Sequence, residues 1–174
     1  NNGLAIGHPP QWGTHNWNTY STSDGGMSWT LVSDTIFSDF STYDNFGLQD
    51  FEMLNANVGF ANARTYNDLL GAMQDVVFLT ADGGLTWDVQ VTPGLTFLNS
   101  GEFVNESIGF VMDADNVYKT TDGGISWTVT LPVTGGGVSK SIDFVNDSVG
   151  YVVSRYNGSY FAIIRTTDQG LSWD

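Results

Sequence analysis

The chain contains no cysteine, and its basic residues are nearly as scarce. Without cysteine, neither a disulfide framework nor a thiolate zinc site can form. Five lysines and arginines stand against 19 acidic residues, which gives a formal net charge of −14 at pH 7. Such a surface repels the phosphates of nucleic acids and of anionic lipids. Nucleic-acid binding is therefore the class of function that the composition disfavours most.

Long apolar runs are also missing. No run approaches the roughly 20 residues that span a bilayer, so no membrane insertion is predicted. Asn1 is not an initiator methionine, and no signal-peptide pattern follows it, so we expect that the chain starts after processing or belongs to a longer protein. Apolar residues nevertheless make up 41% of the chain, enough for a folded core. Its 21 glycines, together with many threonines and serines, favour an all-β fold.

An eight-residue motif that ends in tryptophan occurs four times, which indicates a repeat architecture. Successive tryptophans lie 40 to 58 residues apart, a spacing typical of four-stranded propeller blades with insertions. The copies read TSDGGMSW (22–29), TADGGLTW (80–87), TTDGGISW (120–127) and TTDQGLSW (166–173).

A second motif lies upstream of each copy, built around a glycine that is followed by an aliphatic or aromatic residue. It reads NGLAI (2–6), NVGF (57–60), SIGFV (107–111) and SVGYV (148–152). Before three of these, an alternating stretch ends in phenylalanine, at Phe51, Phe103 and Phe144. The constant order predicts four strands per unit, a to d, at 102–104, 108–112, 117–121 and 125–131 in the third unit and at 141–145, 150–154, 161–167 and from 171 in the fourth.

The Asp-Gly-Gly sequence between strands c and d predicts a tight hairpin, because glycine adopts positive φ without a Cβ clash. We expect the aspartate to accept hydrogen bonds from its own turn and the tryptophan ring to cover it. These hairpins resemble the Asp-box, or bacterial neuraminidase repeat, and the fuller pattern resembles repeats of the photosystem II assembly factor family. Similar repeats occur in sialidases, xyloglucanases and sortilin-type receptors. The resemblance implies an all-β propeller of four-stranded antiparallel blades, and no one activity.

About four blades are predicted, in units of approximately 1–47, 48–99, 100–138 and 139–174. The first unit lacks strand a and the last ends at the start of strand d, so we expect a segment of a larger propeller. A four-bladed or oligomer-completed ring is the alternative, and association with further blades of the same parent chain would cover the bare edges.

The repeat hairpins are predicted to be structural rather than catalytic. In an up-and-down blade all c–d turns share one side, away from the irregular b–c and d–a loops. The residues assigned to this structural role are Asp24, Gly26, Trp29, Asp82, Gly84, Trp87, Asp122, Gly124, Trp127, Asp168, Gly170 and Trp173.

The opposite side, formed by the b–c and d–a loops, is the predicted binding face. The first b–c loop holds both histidines and two of the six tryptophans, and flat aromatic rings suit sugars or peptide side chains. The alternative is that these tryptophans fold back and pack the inserted loop against the edge of the blade. The candidate ligand-binding residues are His8, Trp12, His15, Trp17, Arg64, Tyr66, Arg155 and Tyr156.

No metal site or cofactor is predicted. The two histidines lack a third ligand in their loop. The sequence Asp113-Ala114-Asp115-Asn116 has alternating oxygen ligands, but it lacks the glycine and the bidentate glutamate of a calcium loop, so a tight polar turn is preferred. The glycosylation sequons at Asn105 and Asn146 fall at the a–b turn of successive units, which points to turn chemistry first.

These features favour a non-catalytic binding or scaffolding propeller of an exported, secreted or cell-surface protein, bacterial in origin, with a protein or glycan partner. A sialidase-like glycoside hydrolase is one alternative, although the family's arginine triad would require all three arginines, and Arg165 occupies a repeat position next to a hairpin. A structural spacer in a surface adhesin or filament is the other.

Overall fold

The computed structural model describes residues 3–7, 18–33, 47–67, 72–91, 95, 98–132, 141–156 and 160–174. Within these ranges the chain forms fourteen β-strands, and none of this part is a helix that could cross a lipid bilayer. The all-β prediction is confirmed.

The strands form four antiparallel sheets in which each strand pairs with its neighbour in sequence. We name the sheets blades 1 to 4. Blade 1 contains β1 (Gly3–Gly7), β2 (Asn18–Thr22) and β3 (Thr30–Ser33); blade 2 contains β4 (Gly47–Met53), β5 (Gly59–Asn67), β6 (Ala72–Thr80) and β7 (Asp88–Val91); blade 3 contains β8 (Ser100–Phe103), β9 (Gly109–Met112), β10 (Asn116–Thr120) and β11 (Thr128–Pro132); blade 4 contains β12 (Ser141–Phe144), β13 (Gly150–Tyr156) and β14 (Tyr160–Thr166).

Strand d starts later than predicted. In blade 3 the expected start at residue 125 gives way to Thr128, because residues 125–127 still belong to the hairpin turn. In blade 4, reciprocal hydrogen bonds between the backbones of Arg165 and Asp174 (2.7 and 2.8 Å) begin the equivalent pairing.

The alignment of the second repeat differs by two residues from the predicted one. Met53, not Phe51, lies opposite Gly59, whereas Phe103 lies opposite Gly109 and Phe144 opposite Gly150. A register shift between Leu48 and Asp50 accompanies this pairing. A search for phenylalanine before the glycine motif therefore selects the wrong residue in this blade.

The turn between strands a and b is built in the same way in three blades. In blade 3 the Asn105 side-chain oxygen accepts hydrogen bonds from the backbone N–H groups of Ser107 (3.0 Å) and Ile108 (2.9 Å). Asn146 does the same for Ser148 and Val149 in blade 4, and Asn55 does so for Asn57 and Val58 in blade 2. The sequon asparagines thus make the turn contacts that their repeated position indicated.

The apolar core lies in the seams between blades. Between blades 3 and 4, the rings of Phe110 and Phe144 stack with their centroids 4.2 Å apart, and Trp173 meets both edge-on. Phe110 is fully buried and Val152 packs into the same cluster from blade 4. The first strands β4, β8 and β12 lie side by side, so neighbouring blades meet most closely there.

Candidate functional site

Each repeat hairpin is closed by its own threonine and aspartate. In the hairpin of blade 3, the Thr120 hydroxyl donates to the Asp122 carboxylate (2.7 Å) and accepts from the backbone N–H of Gly124 (2.8 Å). The two carboxylate oxygens accept from the backbone N–H of Ser126 (2.9 Å) and from its hydroxyl (2.6 Å). The same set recurs in the other three hairpins, so these carboxylates are occupied inside their turns.

Those hydrogen bonds favour the ionised carboxylate. The Ser126 side chain, followed by its backbone N–H and by Thr120, lowers the pKa of Asp122 to about 2. The equivalent bonds from Ser172 and Thr166 lower the pKa of Asp168 to about 2. A carboxylate in this state is a poor proton donor at neutral pH, so a general-acid role does not suit it.

The second glycine of the hairpin touches the preceding blade. A Cβ placed on Gly170 would lie 2.6 Å from the Phe110 ring of blade 3, and one on Gly84 would lie 3.0 Å from Leu4 of blade 1. Gly124 faces Leu79 of blade 2 at 3.6 Å. The second glycines also have positive φ, between 73° and 93°. Positive φ therefore favours glycine at this position in every hairpin, and at Gly170 and Gly84 the space against the neighbouring blade is a second reason.

Polar contacts reinforce the seam between blades 3 and 4. The Lys119 ammonium donates to the backbone carbonyl of Gln169 (2.8 Å) and lies over the Phe110 ring. The Thr130 hydroxyl donates to the carbonyl of Gly170. These contacts show the hairpin of one blade resting on strands b, c and d of the blade before it.

The predicted binding face has an uneven relief. Strand b starts at an equivalent glycine in blades 2, 3 and 4 but runs for nine, four and seven residues. At about 3.3 Å per residue, the b–c hairpins of blades 2 and 4 extend about 16 and 10 Å further than that of blade 3. Two projecting hairpins therefore flank a short turn on this side.

The candidate ligand-binding residues divide between strands and undescribed segments. Arg64 and Tyr66 lie in β5, and Arg155 and Tyr156 lie in β13, so the positions expected in b–c loops belong to the extended strands. The pairing simply continues, with Arg64 opposite Asp75 and Tyr66 opposite Met73. His8, Trp12, His15 and Trp17 lie outside the described residues.

Arg64 already has an acidic partner. Its Nε lies 3.3 Å from Oδ1 of Asp75, whose side chain is 3% exposed. This ion pair joins β5 and β6 at the base of the projecting hairpin of blade 2 and leaves the arginine partly exposed.

The short turn of blade 3 is the tight polar turn that the sequence favoured. Oδ1 of Asp113 accepts from the backbone N–H groups of Asp115 (2.8 Å) and Asn116 (2.7 Å), and Oδ2 accepts from the Tyr118 hydroxyl (2.8 Å). The buried carboxylate is thus used within the turn. Across the described part of the chain, no three histidine, aspartate or glutamate side chains are grouped so as to hold a metal ion.

A row of carboxylates on the inner strands was missed by the sequence analysis. Glu52, Glu102 and Asp143 occupy equivalent register positions in blades 2, 3 and 4. The Phe103 N–H donates to Glu52 Oε2 (3.4 Å) and the Phe144 N–H donates to Glu102 Oε2 (2.6 Å), so each glutamate bonds the inner strand of the next blade. The recurring acidic residue before the glycine motif was a signal for it.

Burial raises the pKa of Glu102 to about 7, against the opposing hydrogen bond from Phe144 and with help from the charges of Glu52, Asp143 and Asp50. The folded chain then binds more protons than the unfolded chain between about pH 4.5 and 7. Stability therefore falls as pH rises through that window. The hairpin aspartates act in the other direction, since their contribution is lost as pH falls below about 4.

We expect the free energy of unfolding to be highest near pH 4 to 5, and Glu102→Gln to remove much of the decline toward pH 7. Solvent around the half-exposed carboxylate screens the effect, so we expect about 1 kcal/mol. Urea denaturation at several pH values measures it, with Asp147→Asn, at an exposed carboxylate in the turn between β12 and β13, as the control. An unchanged slope in Glu102→Gln would show that this glutamate does not titrate in the window.

Clefts in the described part of the chain open on the hairpin side. One of about 480 Å³ lies between blades 1 and 2, lined by Leu4, Thr22, Met53 and Asn55 among others. Another of about 250 Å³ lies between blades 2 and 3, near Phe60 and Phe103. Both are gaps at blade seams, and the ionisable groups beside them are sparse.

Two solved structures resemble the chain in fold. The GH74 xyloglucanase from Xanthomonas campestris superposes with a TM-score of 0.63 at 15% identity, over 98% of this chain and 29% of that one. A protein of unknown function from Dyadobacter fermentans gives a TM-score of 0.55 at 15% identity, over 91% of this chain and 57% of that one. This chain thus spans under a third of the xyloglucanase.

No protein-family model matches the chain, and comparison with curated protein sequences gave no match. Identity of 15% with both structures supports a shared fold and no more. Together with the four antiparallel sheets, it establishes that the chain is a set of β-propeller blades.

Proposed function

We propose that the chain is a non-catalytic binding or scaffolding propeller of an exported protein, which recognises a glycan or protein partner through its b–c face. The relief of that face carries the proposal: projecting hairpins on blades 2 and 4 flank the short Asp113 turn of blade 3. Two projecting hairpins on either side of a short turn form a concave surface, which is the shape typical of binding sites.

The chemistry of the opposite side supports the same choice. The hairpin aspartates accept hydrogen bonds from their own turns and have lowered pKa values, as in Asp122 and Asp168. Carboxylates that are hydrogen-bonded within their own turns and ionised at neutral pH are unsuited to proton transfer. Recognition is therefore better placed on the face where tyrosines, arginines and the loop tryptophans Trp12 and Trp17 occur in the sequence.

A glycan panel tests the proposal, with xyloglucan oligosaccharides and sialosides among the probes. We expect a retained glycan, no release of reducing sugar, and loss of binding of at least tenfold in the double variant Trp12→Ala/Trp17→Ala with unchanged thermal stability. Ile125→Ser, on an exposed hairpin tip, is the matched control and should bind normally. An equal loss of stability in the double variant would show that the tryptophans are packing residues.

Hydrolysis of a sialoside or of xyloglucan would instead favour the glycoside hydrolase alternative. The similarity in fold to the xyloglucanase is the observation that suggests this alternative. Turnover that survives purification and disappears on replacement of a carboxylate would contradict a purely binding role. The absence of any retained glycan would restrict the proposal to a protein partner.

A further inference from the structure

The cleft between blades 2 and 3 on the hairpin side has a counterpart between blades 3 and 4, which the chain fills with a side chain of its own. In blade 2, Phe60 lies opposite Leu79. In blade 3, Phe110 and Lys119 hold the same register positions. The Lys119 Nζ lies 5.7 Å from the Phe110 ring centroid and donates to the Gln169 carbonyl in the hairpin of blade 4 at 2.8 Å. A lysine side chain therefore closes the seam between blades 3 and 4.

The equivalent space between blades 2 and 3 is open. Leu79 is shorter than lysine and has no ammonium group, and the cleft beside it has a volume of about 250 Å³. Blades 2 and 3 each have four strands, so both sides of this cleft belong to complete blades. The volume lies below the roughly 300–1,000 Å³ of small-molecule sites, so it suits one side chain better than an oligosaccharide. Its apolar lining includes Leu54, Val58, Phe60 and Phe103.

The charges beside the cleft favour a cation. Asp88, at the start of β7, and Glu106, in the a–b turn of blade 3, both line the cleft and are both exposed. Asp88 lies opposite Leu79, whereas Thr128 lies opposite Lys119 in the next blade. The chain thus has an additional carboxylate at the seam where it does not supply a lysine.

We propose that the cleft between blades 2 and 3 binds a lysine side chain of a protein partner. The aliphatic stem of that lysine packs on the apolar lining. Its ammonium lies near Asp88 and Glu106 and donates to the carbonyl of Gly123, which lines the cleft and holds the hairpin position of Gln169. A shallower depression adjoins the cleft at Leu54 and Glu106 and leaves room for the partner's backbone. This site lies on the hairpin side and does not rest on the proposed b–c face.

An NMR titration of the isotope-labelled 174-residue chain tests the proposal, with Nα-acetyl-lysine amide as the probe. Salt at about 0.15 M screens general attraction to a chain of net charge −14. We expect saturable shifts of the Gly123 and Glu106 amide signals with a Kd of about 1–10 mM, since one side chain makes few contacts. Nα-acetyl-norleucine amide, which keeps the stem and lacks the ammonium, should bind at least about fivefold more weakly.

Variants separate the cleft from general charge attraction. Glu106→Gln should weaken binding of the lysine probe about two- to fivefold. Asp147→Asn, at the equivalent turn position of blade 4, changes the net charge equally and should bind like the parent chain. Leu79→Lys should abolish binding, because the new side chain fills the cleft as Lys119 fills its own seam. Asp88→Asn, at an exposed residue, tests the second carboxylate in case Leu79→Lys does not fold.

Four results would overturn the proposal. They are the absence of saturable shifts in the parent chain, equal binding of the norleucine and lysine probes, parent-like binding by a folded Leu79→Lys variant, and equal weakening by Glu106→Gln and Asp147→Asn. Tighter binding of leucine amide, whose cation is an α-ammonium, would also contradict a lysine site and assign the cleft to the N-terminus of a partner chain.

Discussion

Replacement of Gly170 by alanine is expected to lower the free energy of unfolding by about 2–5 kcal/mol. Alanine pays about 1–2 kcal/mol for the positive φ of 73° at this position. Its methyl group would also meet the Phe110 ring at 2.6 Å. That ring is fully buried and stacked on Phe144, so it cannot move aside freely, and overpacking adds about 1–3 kcal/mol.

Gly25→Ala is the matched control for Gly170→Ala. Gly25 has a φ of 76°, but no atom lies within 4 Å of the added Cβ. The equivalent position of blade 4 is Gln169, which adopts a φ of 60° with a side chain in place. Urea denaturation should therefore show a loss of only about 1–2 kcal/mol in Gly25→Ala. Equal losses in the two variants would mean that the hairpin does not press on the preceding blade.

Trp127→Ala is expected to cost about 3 kcal/mol of stability. The indole packs against the buried cluster that includes Val77 of the preceding blade, and it meets the Phe103 ring edge-on, with centroids 6.1 Å apart. Its Nε1 also donates to the Gly124 carbonyl (3.1 Å). The cost falls at the lower end of the range for aromatic truncation because the ring is only partly buried.

The same substitution in blade 1 provides the comparison. Trp29 also donates to its glycine carbonyl, at 3.2 Å, but it is 46% exposed. Its removal should cost about 1 kcal/mol. Thermal and urea melts measure both variants. A loss in Trp127→Ala no greater than in Trp29→Ala would contradict a role of the hairpin tryptophan in the blade seam.

Local sequence was enough to predict the sheets. Alternating residues around Gly109 and Gly150 indicated strands, and Asp-Gly-Gly indicated hairpins, because both signals act within a few residues. The register of blade 2 was less accessible. Phe51 and Met53 are two residues apart and both fit the alternation, and the irregularity between Leu48 and Asp50 has no sequence signature.

Contacts between blades were beyond sequence reasoning. Glu102 in an alternating strand is typical of a solvent-facing position, yet it accepts a hydrogen bond from the backbone of Phe144 in the next blade. A backbone donor leaves no side-chain signal to search for. The second glycine of the hairpin was likewise explained by turn conformation alone, although its contact with Phe110 is a second and independent reason for it.

The candidate binding face was predicted only in part. Its side of the blades follows from strand alternation, and the structure adds the projecting hairpins that carry Arg64, Tyr66, Arg155 and Tyr156. Arrangement of the first b–c loop, with Trp12 and Trp17, lies outside the described residues and stays a prediction.

A double-mutant cycle between Gly170 and Phe110 tests most directly the claim that a repeat hairpin packs against the preceding blade through its second glycine. Phe110→Ala removes the ring that the Gly170→Ala methyl group would strike. We expect the second substitution to cost at least about 1 kcal/mol less in the Phe110→Ala background than in the parent chain. Costs that add within about 0.5 kcal/mol would contradict the contact, and with it the account of the repeat.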